Sequence, residues 1–149
     1  AGAVAFHFAL EVVPGVPVPL TLGIYQPELP PRLSTQVGAV PAAESLAASF
    51  RAAEPDAAVS TWGDDNNGVT RVLRMSPADP AAEAARPLLR ADYWITAVGS
   101  EATTVFSFAA PVLWDQTAPA LLELLDAIIS TVQWSPGDPQ DADAVAAAD

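Results

Sequence analysis

The sequence predicts an α+β domain, an antiparallel sheet of about six strands packed with helices. Two observations carry this. Strand-length segments of alternating apolar and polar residues follow one another with only tight turns between them, which implies antiparallel pairing. Two other segments repeat their apolar residues every three or four positions, as helices do.

The first strand is Ala3 to Val13. Val4, Phe6, Phe8, Leu10 and Val12 alternate with Ala5, His7, Ala9 and Glu11. Pro14-Gly15 reads as a turn. Val18 to Tyr25 alternates again, with Val18, Leu20, Leu22 and Ile24 on one face, so the two segments read as a hairpin. Gln26 to Pro41 holds four prolines and reads as a surface loop. Pro41 suits the first position of a helix over Pro41–Glu54, with Leu46, Phe50 and Ala53 at helical spacing.

Ala57 to Gly63 and Val69 to Met75 are two short strands. Between them, Asp64-Asp65-Asn66-Asn67-Gly68 ends in Asn-Gly, a favoured hairpin pair. Ser76 to Pro87 is a second proline-rich loop. Leu88 to Val98 alternates Leu89, Ala91, Tyr93, Ile95 and Ala97 with Arg90, Asp92, Trp94 and Thr96. Thr103 to Ala110 completes the strands. The last helix, Gln116–Val132, carries Leu121, Leu124, Leu125, Ile128 and Val132 on one stripe, with Asp115 or Thr117 placed to cap it. Residues 1–134 read as one domain. Ser135 to Asp149, with four aspartates and five alanines, reads as an acidic disordered tail. The chain lacks an initiator Met and enters a strand at once. It is read as starting inside a longer protein rather than after a removed leader.

Composition excludes much chemistry. The 149 residues hold no cysteine, no lysine and a single histidine. A thiolate nucleophile, a lysine Schiff base, a Ser-Lys dyad and a Cys/His zinc site are thereby ruled out. The net charge is −12. The six arginines form no run, so nucleic-acid and anionic-membrane partners are not expected. No run approaches the roughly 20 apolar residues of a membrane span, and no signal-peptide pattern opens the chain. A cytoplasmic location is favoured on that ground.

The candidate chemistry is sparse. His7 could act as a general base only with an orienting partner, and Glu11 lies roughly 13 Å away at strand rise. It reads instead as a packing or surface histidine. The Asp64–Gly68 segment lacks the distant glutamate of a calcium loop and reads as a turn. Glu123 and Asp126 read as solvent-facing helix charges. Asp92, flanked by Arg90 and Trp94, shows no mark of a catalytic carboxylate. No serine has a nucleophile-elbow context, and no glycine loop is built for phosphate. No catalytic residue, metal ligand or cofactor is therefore assigned.

Binding surfaces are better candidates. Trp94 falls on the polar face of its strand beside Arg90; it is either covered by a helix or exposed as an anchor, the pairing that binding hot spots use. The small face of the first hairpin (Ala5, His7 and Ala9, with Thr21 and Gly23) is expected to be flat enough for another backbone to approach.

Asp92-Tyr93-Trp94-Ile95, then Thr104-Val105-Phe106-Ser107-Phe108, then the helix ending Ile128-Ile129-Ser130-Thr131-Val132-Gln133-Trp134, resembles the end of PsbP-like domains. That fold includes the photosystem II extrinsic subunit, the yeast Ran-binding Mog protein and bacterial lipoproteins. The chain is also similar to uncharacterised actinobacterial proteins of this layout, with Gly15-Val16-Pro17-Val18 in the first hairpin turn. The resemblance covers residues 3–134 and brings no catalytic motif. It implies an α/β/α sandwich and a binding or assembly role. The expected function is a non-catalytic module that binds a protein partner or a second copy of itself. The alternative is a carrier of small apolar ligands, with a pocket between the sheet and the C-terminal helix.

Overall fold

The computed structural model describes residues 3–13, 16–27, 38–78, 86–97, 103–112 and 116–132. Its elements are β1 (Ala3–Val13), β2 (Val16–Tyr25), α1 (Ala39–Ala53), β3 (Ala58–Gly63), β4 (Asn67–Ser76), β5 (Leu88–Ala97), β6 (Thr103–Pro111) and α2 (Thr117–Ser130). All strands join one sheet in the order β1-β2-β6-β5-β4-β3, and every neighbouring pair is antiparallel. The α+β class with an antiparallel sheet is thus the observed one. The predicted tail and Trp134 lie outside the described residues.

The helices take opposite faces. Alternation along β5 sends Leu89, Ala91, Tyr93 and Ile95 into a core shared with Leu121, Leu125 and Ile129 of α2. Phe108 and Ala110 of β6 and Leu20 of β2 complete that core. The other side of β4 and β5 receives α1, whose buried stripe is nearly all alanine: Ala39, Ala42, Ala43, Leu46 and Ala47. Small side chains let the helix lie close to the strands. Gly68 permits this approach, because a Cβ there would sit 2.2 Å from the Ala39 carbonyl oxygen. Two threonine hydroxyls under α1 are paired, whereas Trp94 Nε1 and Thr103 Oγ1 on the same face are buried without a partner among the described residues. The Thr70 hydroxyl donates to the Ala43 carbonyl at 2.8 Å, and the Thr96 hydroxyl donates to Ala39 and Gly68 carbonyls at 3.2 and 3.1 Å.

Local chemistry explains several boundaries. Helix α1 starts at Ala39, two residues before its expected first position, after Gly38 with a left-handed φ of 99°. Pro41 therefore sits third in the helix, where its missing N–H is one that no helical carbonyl could use. The residue preceding α2 is Gln116, not Asp115 or Thr117, and its side chain makes no capping bond. Asn67 and Gly68 are not the turn centre; both belong to β4. The turn is made by Asp64, whose carboxylate accepts the Asn66 and Asn67 N–H groups at 2.8 Å each. Those two bonds, with the Asn67 one the stronger, hold the Asp64 carboxyl below its usual pKa.

The first hairpin corrects an expectation. Its register pairs Ala5 with Ile24, His7 with Leu22 and Ala9 with Leu20, while Phe6 opposes Gly23 and Phe8 opposes Thr21. Directly opposed residues lie on one side of the sheet. Ala5, the one described side chain of the three, therefore shares a side with Ile24 rather than with Thr21 and Gly23. The register itself sets this. From Ala5 to Ala9 it pairs odd positions of β1 with even positions of β2, whereas both strands carry their large residues at even positions.

Candidate functional site

The polar side chains gather into two networks, one on each face. On the α1 side, Asp92 is buried at 4% exposure. It accepts hydrogen bonds from Arg74, from Arg90 at 3.1 Å and from the Ser107 hydroxyl at 2.5 Å. Arg74 also forks onto Glu54 at the end of α1, at 2.5 and 2.8 Å. This fork, resisted in part by desolvation, holds the Glu54 carboxyl below its ordinary range. The network ties the helix end to the middle of the sheet. An open groove of about 350 Å³ runs beside it, lined by Ala53, Glu54, Pro55, Asp56, Ala57, Arg74 and Met75. Its one cation, Arg74, is already engaged by two carboxylates, so the groove has no free charge with which to hold an anion.

Trp94 belongs to this face. Its ring packs on Phe50 of α1 at 5.2 Å between centroids, and its Nε1 is buried. It is therefore the half-covered tryptophan of the two alternatives and not an exposed anchor. Arg90 is 54% exposed but spends its Nε on Asp92. The sequence-predicted pair is not brought together: Trp94 is covered by Phe50 of α1, and Arg90, four residues away on the same strand, is engaged with Asp92. Of the hairpin candidates, Ala5 is half-buried, and the side chains of His7 and Ala9 fall outside the described residues.

On the α2 side, Asp126 is engaged with the sheet although its side chain stays 39% exposed, so it is more than the solvent-facing charge of its sequence reading. It accepts hydrogen bonds from Arg71 and from the Tyr93 hydroxyl, the latter at 2.7 Å. Burial, reinforced by that bond to a carboxylate, pushes the Tyr93 phenol well above its usual pKa. Glu123 remains exposed. Arg71 and Tyr93 in turn hold Trp62. The Arg71 guanidinium lies 5.5 Å from its ring centroid, and the Tyr93 ring meets it edge-on at 6.3 Å.

Trp62 is the residue that sequence reasoning missed. It is 39% exposed although Arg71 and Tyr93 pack against its ring, and it stands on β3, the last strand of the sheet. A groove of about 280 Å³ opens beside it, lined by Gly63, Val69, Ile95, Ile129 and Val132 together with the polar Asp64, Asn67 and Ser130. β3 itself reads Ala-Val-Ser-Thr-Trp-Gly. It has no charge and no proline, the usual devices that blunt an edge strand.

The direction of its backbone hydrogen-bonding groups follows from the register. The Asp64 N–H bonds the Asn67 carbonyl at 2.9 Å. Residues on β3 that engage β4 alternate from there: Trp62, Ser60 and Ala58 face inward, and Gly63, Thr61 and Val59 present their N–H and C=O groups outward. Among the described residues, the side chain that reaches this row is Arg51 of α1, which donates to the Val59 carbonyl at 3.2 Å. That contact confirms the outward direction. Among the described residues no group of three or more His, Asp or Glu is placed to hold a metal ion, and no helix is long and apolar enough to cross a membrane.

No protein-family model, curated protein or solved structure matches the chain. The site therefore has to be read from its own geometry.

Proposed function

We propose that the chain is a non-catalytic protein-binding or assembly module whose working surface is the β3 edge with Trp62 beside it. One observation carries this reading. The outward row of Val59, Thr61 and Gly63 is uncharged and regular, and it runs beside an exposed tryptophan. Backbone groups in such a row supply affinity to an added strand, and an aromatic beside them supplies selectivity. The layering of α1 and α2 on opposite faces supports describing the module as an α/β/α sandwich, the arrangement that a resemblance to PsbP-like domains implies.

The groove between the sheet and the end of α2 favours a second reading, a carrier of small apolar ligands. Its 280 Å³ lies just under the roughly 300–1,000 Å³ of typical ligand pockets, and its walls mix polar with apolar groups. Size and lining therefore place it second.

Co-purification from the native host, with hydrogen exchange on what is recovered, tests the first reading. The assembled protein is expected to show slowed exchange at the Val59, Thr61 and Gly63 amides, and Thr61→Pro is expected to abolish assembly. Assembly that survives Thr61→Pro, with these amides still exchanging freely, overturns the reading. Trp62 emission that shifts on titration with a medium-chain fatty acid would instead favour the carrier.

A further inference from the structure

We infer that the partner at this edge is a second copy of the same chain, paired antiparallel through β3 about a two-fold axis at Thr61. This rests on the edge reading above and names its occupant.

The hydrogen-bond pattern suits the pairing. Only outward-facing residues can form the bonded pairs of a new antiparallel ladder. With the axis at Thr61, Val59 of one copy opposes Gly63 of the other, and Thr61 opposes Thr61. All are outward-facing. The side chains then match as well. Trp62 of each copy stands opposite Ser60 of the other, and the two Thr61 residues form a Thr–Thr cross-strand pair, which is among the favourable ones.

Charge selects this partner over an unrelated strand. Arg51 sits at the Val59 end of β3, and the Asp64-Asp65 turn sits at the Gly63 end. Antiparallel pairing lays the Arg51 end of each copy against the acidic turn of the other. Arg51 then exchanges the exposed Val59 carbonyl for a carboxylate, and that carbonyl receives the Gly63 N–H of the second copy. The self-complementary arrangement makes both ends attractive at once, as a two-fold interface requires. Asp56 lies at the same corner and opposes the pairing, as does the net charge of −12. The distant acids act beyond the screening length of about 8 Å at physiological salt, whereas the contact pairs act within it. The interface is small, so the dimer belongs to the weak, reversible class, with Kd of about micromolar.

Sedimentation of the full chain at physiological salt tests the inference. The wild-type chain is expected to form a concentration-dependent dimer. Arg51→Asp sets acid against acid at both ends, and Asp65→Arg sets arginine against arginine. Each variant alone is expected to weaken the dimer about tenfold or more. Mixed in equal amounts, the two variants restore attraction at both ends and are expected to recover dimer mass. Circular dichroism and thermal melting confirm that both variants fold, since both positions are exposed. A wild-type chain that stays monomeric, or a dimer indifferent to both variants, or a mixture that fails to recover, overturns the two-fold pairing. A monomer that still assembles with another protein in a Thr61-dependent way overturns the dimer alone. Loss of both behaviours overturns the edge reading with it.

Discussion

β1 and β3 are the two outer strands of one sheet, yet only β3 runs in unbroken register with its neighbour. β1 shifts register against β2 between Ala3 and Ala5, between Ala9 and Glu11, and between Glu11 and Val13. It also carries Glu11 and His7 in its sequence. Irregular pairing and charge are the means by which natural sheets discourage edge-to-edge association. β3 has neither. Helix α1 backs it on one face, and Trp62 is braced on the other by Arg71 and Tyr93. The contrast shows that one sheet can carry an irregular outer strand on one side and a regular one on the other.

The largest way to break this contrast is Gly68→Val. The added side chain would collide with the Ala39 backbone and lift α1 from β4. A loss of about 3 kcal/mol is expected in chemical denaturation. Amides of β3 and β4 should lose exchange protection before those of β2 and β6. Equal loss along the whole sheet would show that α1 does not support the β3 side selectively.

Asp126→Ala comes next. It strands the Tyr93 hydroxyl and Arg71 beneath α2, at an expected cost of about 2 kcal/mol. Asp126→Asn keeps an acceptor for Tyr93 and should recover part of it. If thermal melting cannot tell the two variants apart, charge rather than hydrogen bonding decides the site.

Thr61→Pro sharpens the comparison. The Thr61 N–H faces away from β4, so the proline removes no internal ladder bond. Stability is expected to change by less than about 1 kcal/mol. A large drop in melting temperature would mean that the outward assignment is wrong.

The smallest effect is a pH dependence at the α1 end. The Glu54 pKa is lowered in the folded state, chiefly by its fork with Arg74. The unfolded carboxyl therefore takes up its proton first as pH falls. The contribution is complete above the unfolded value near 4.5 and is lost as pH drops through the folded one. Because Glu54 is well exposed, it amounts to a few tenths of a kcal/mol. Glu54→Gln should flatten that part of the stability–pH curve and leave neutral stability almost unchanged.

Much of the fold was legible in the residues. The alternation in Leu88–Ala97 and the three-and-four spacing of Leu121, Leu125 and Ile129 located β5 and α2 because burial on one face enforces a period. The pairing of Ala5 with Ile24 was not legible, because register shifts lie between the turn and that position. The site was not legible. That Ala58–Gly63 lies at an edge depends on β2 pairing with β6, a contact between distant segments with no local signature. The engagement of Asp126 depends on Arg71 and Tyr93 standing within its reach. The role of Trp62 likewise depends on tertiary neighbours, and its strand shows only a negative signal, the lack of charge and proline.

The same β2–β6 junction has a consequence for the order of folding. The strands β3 to β6 form a meander in which each pairs with the next in sequence, so their loops are short and cheap to close. The seam between β2 and β6 instead joins positions as far apart as Thr21 and Ala109, whose hydroxyl and carbonyl meet at 3.3 Å across 88 residues of chain. Closing so long a loop comes late, after the meander can reward it. Until then β6 is itself an open edge, and a nascent chain carries unpaired strands at both ends of the meander. The seam is thus the step at which the sheet gains its last long-range pairing and β6 ceases to be an edge.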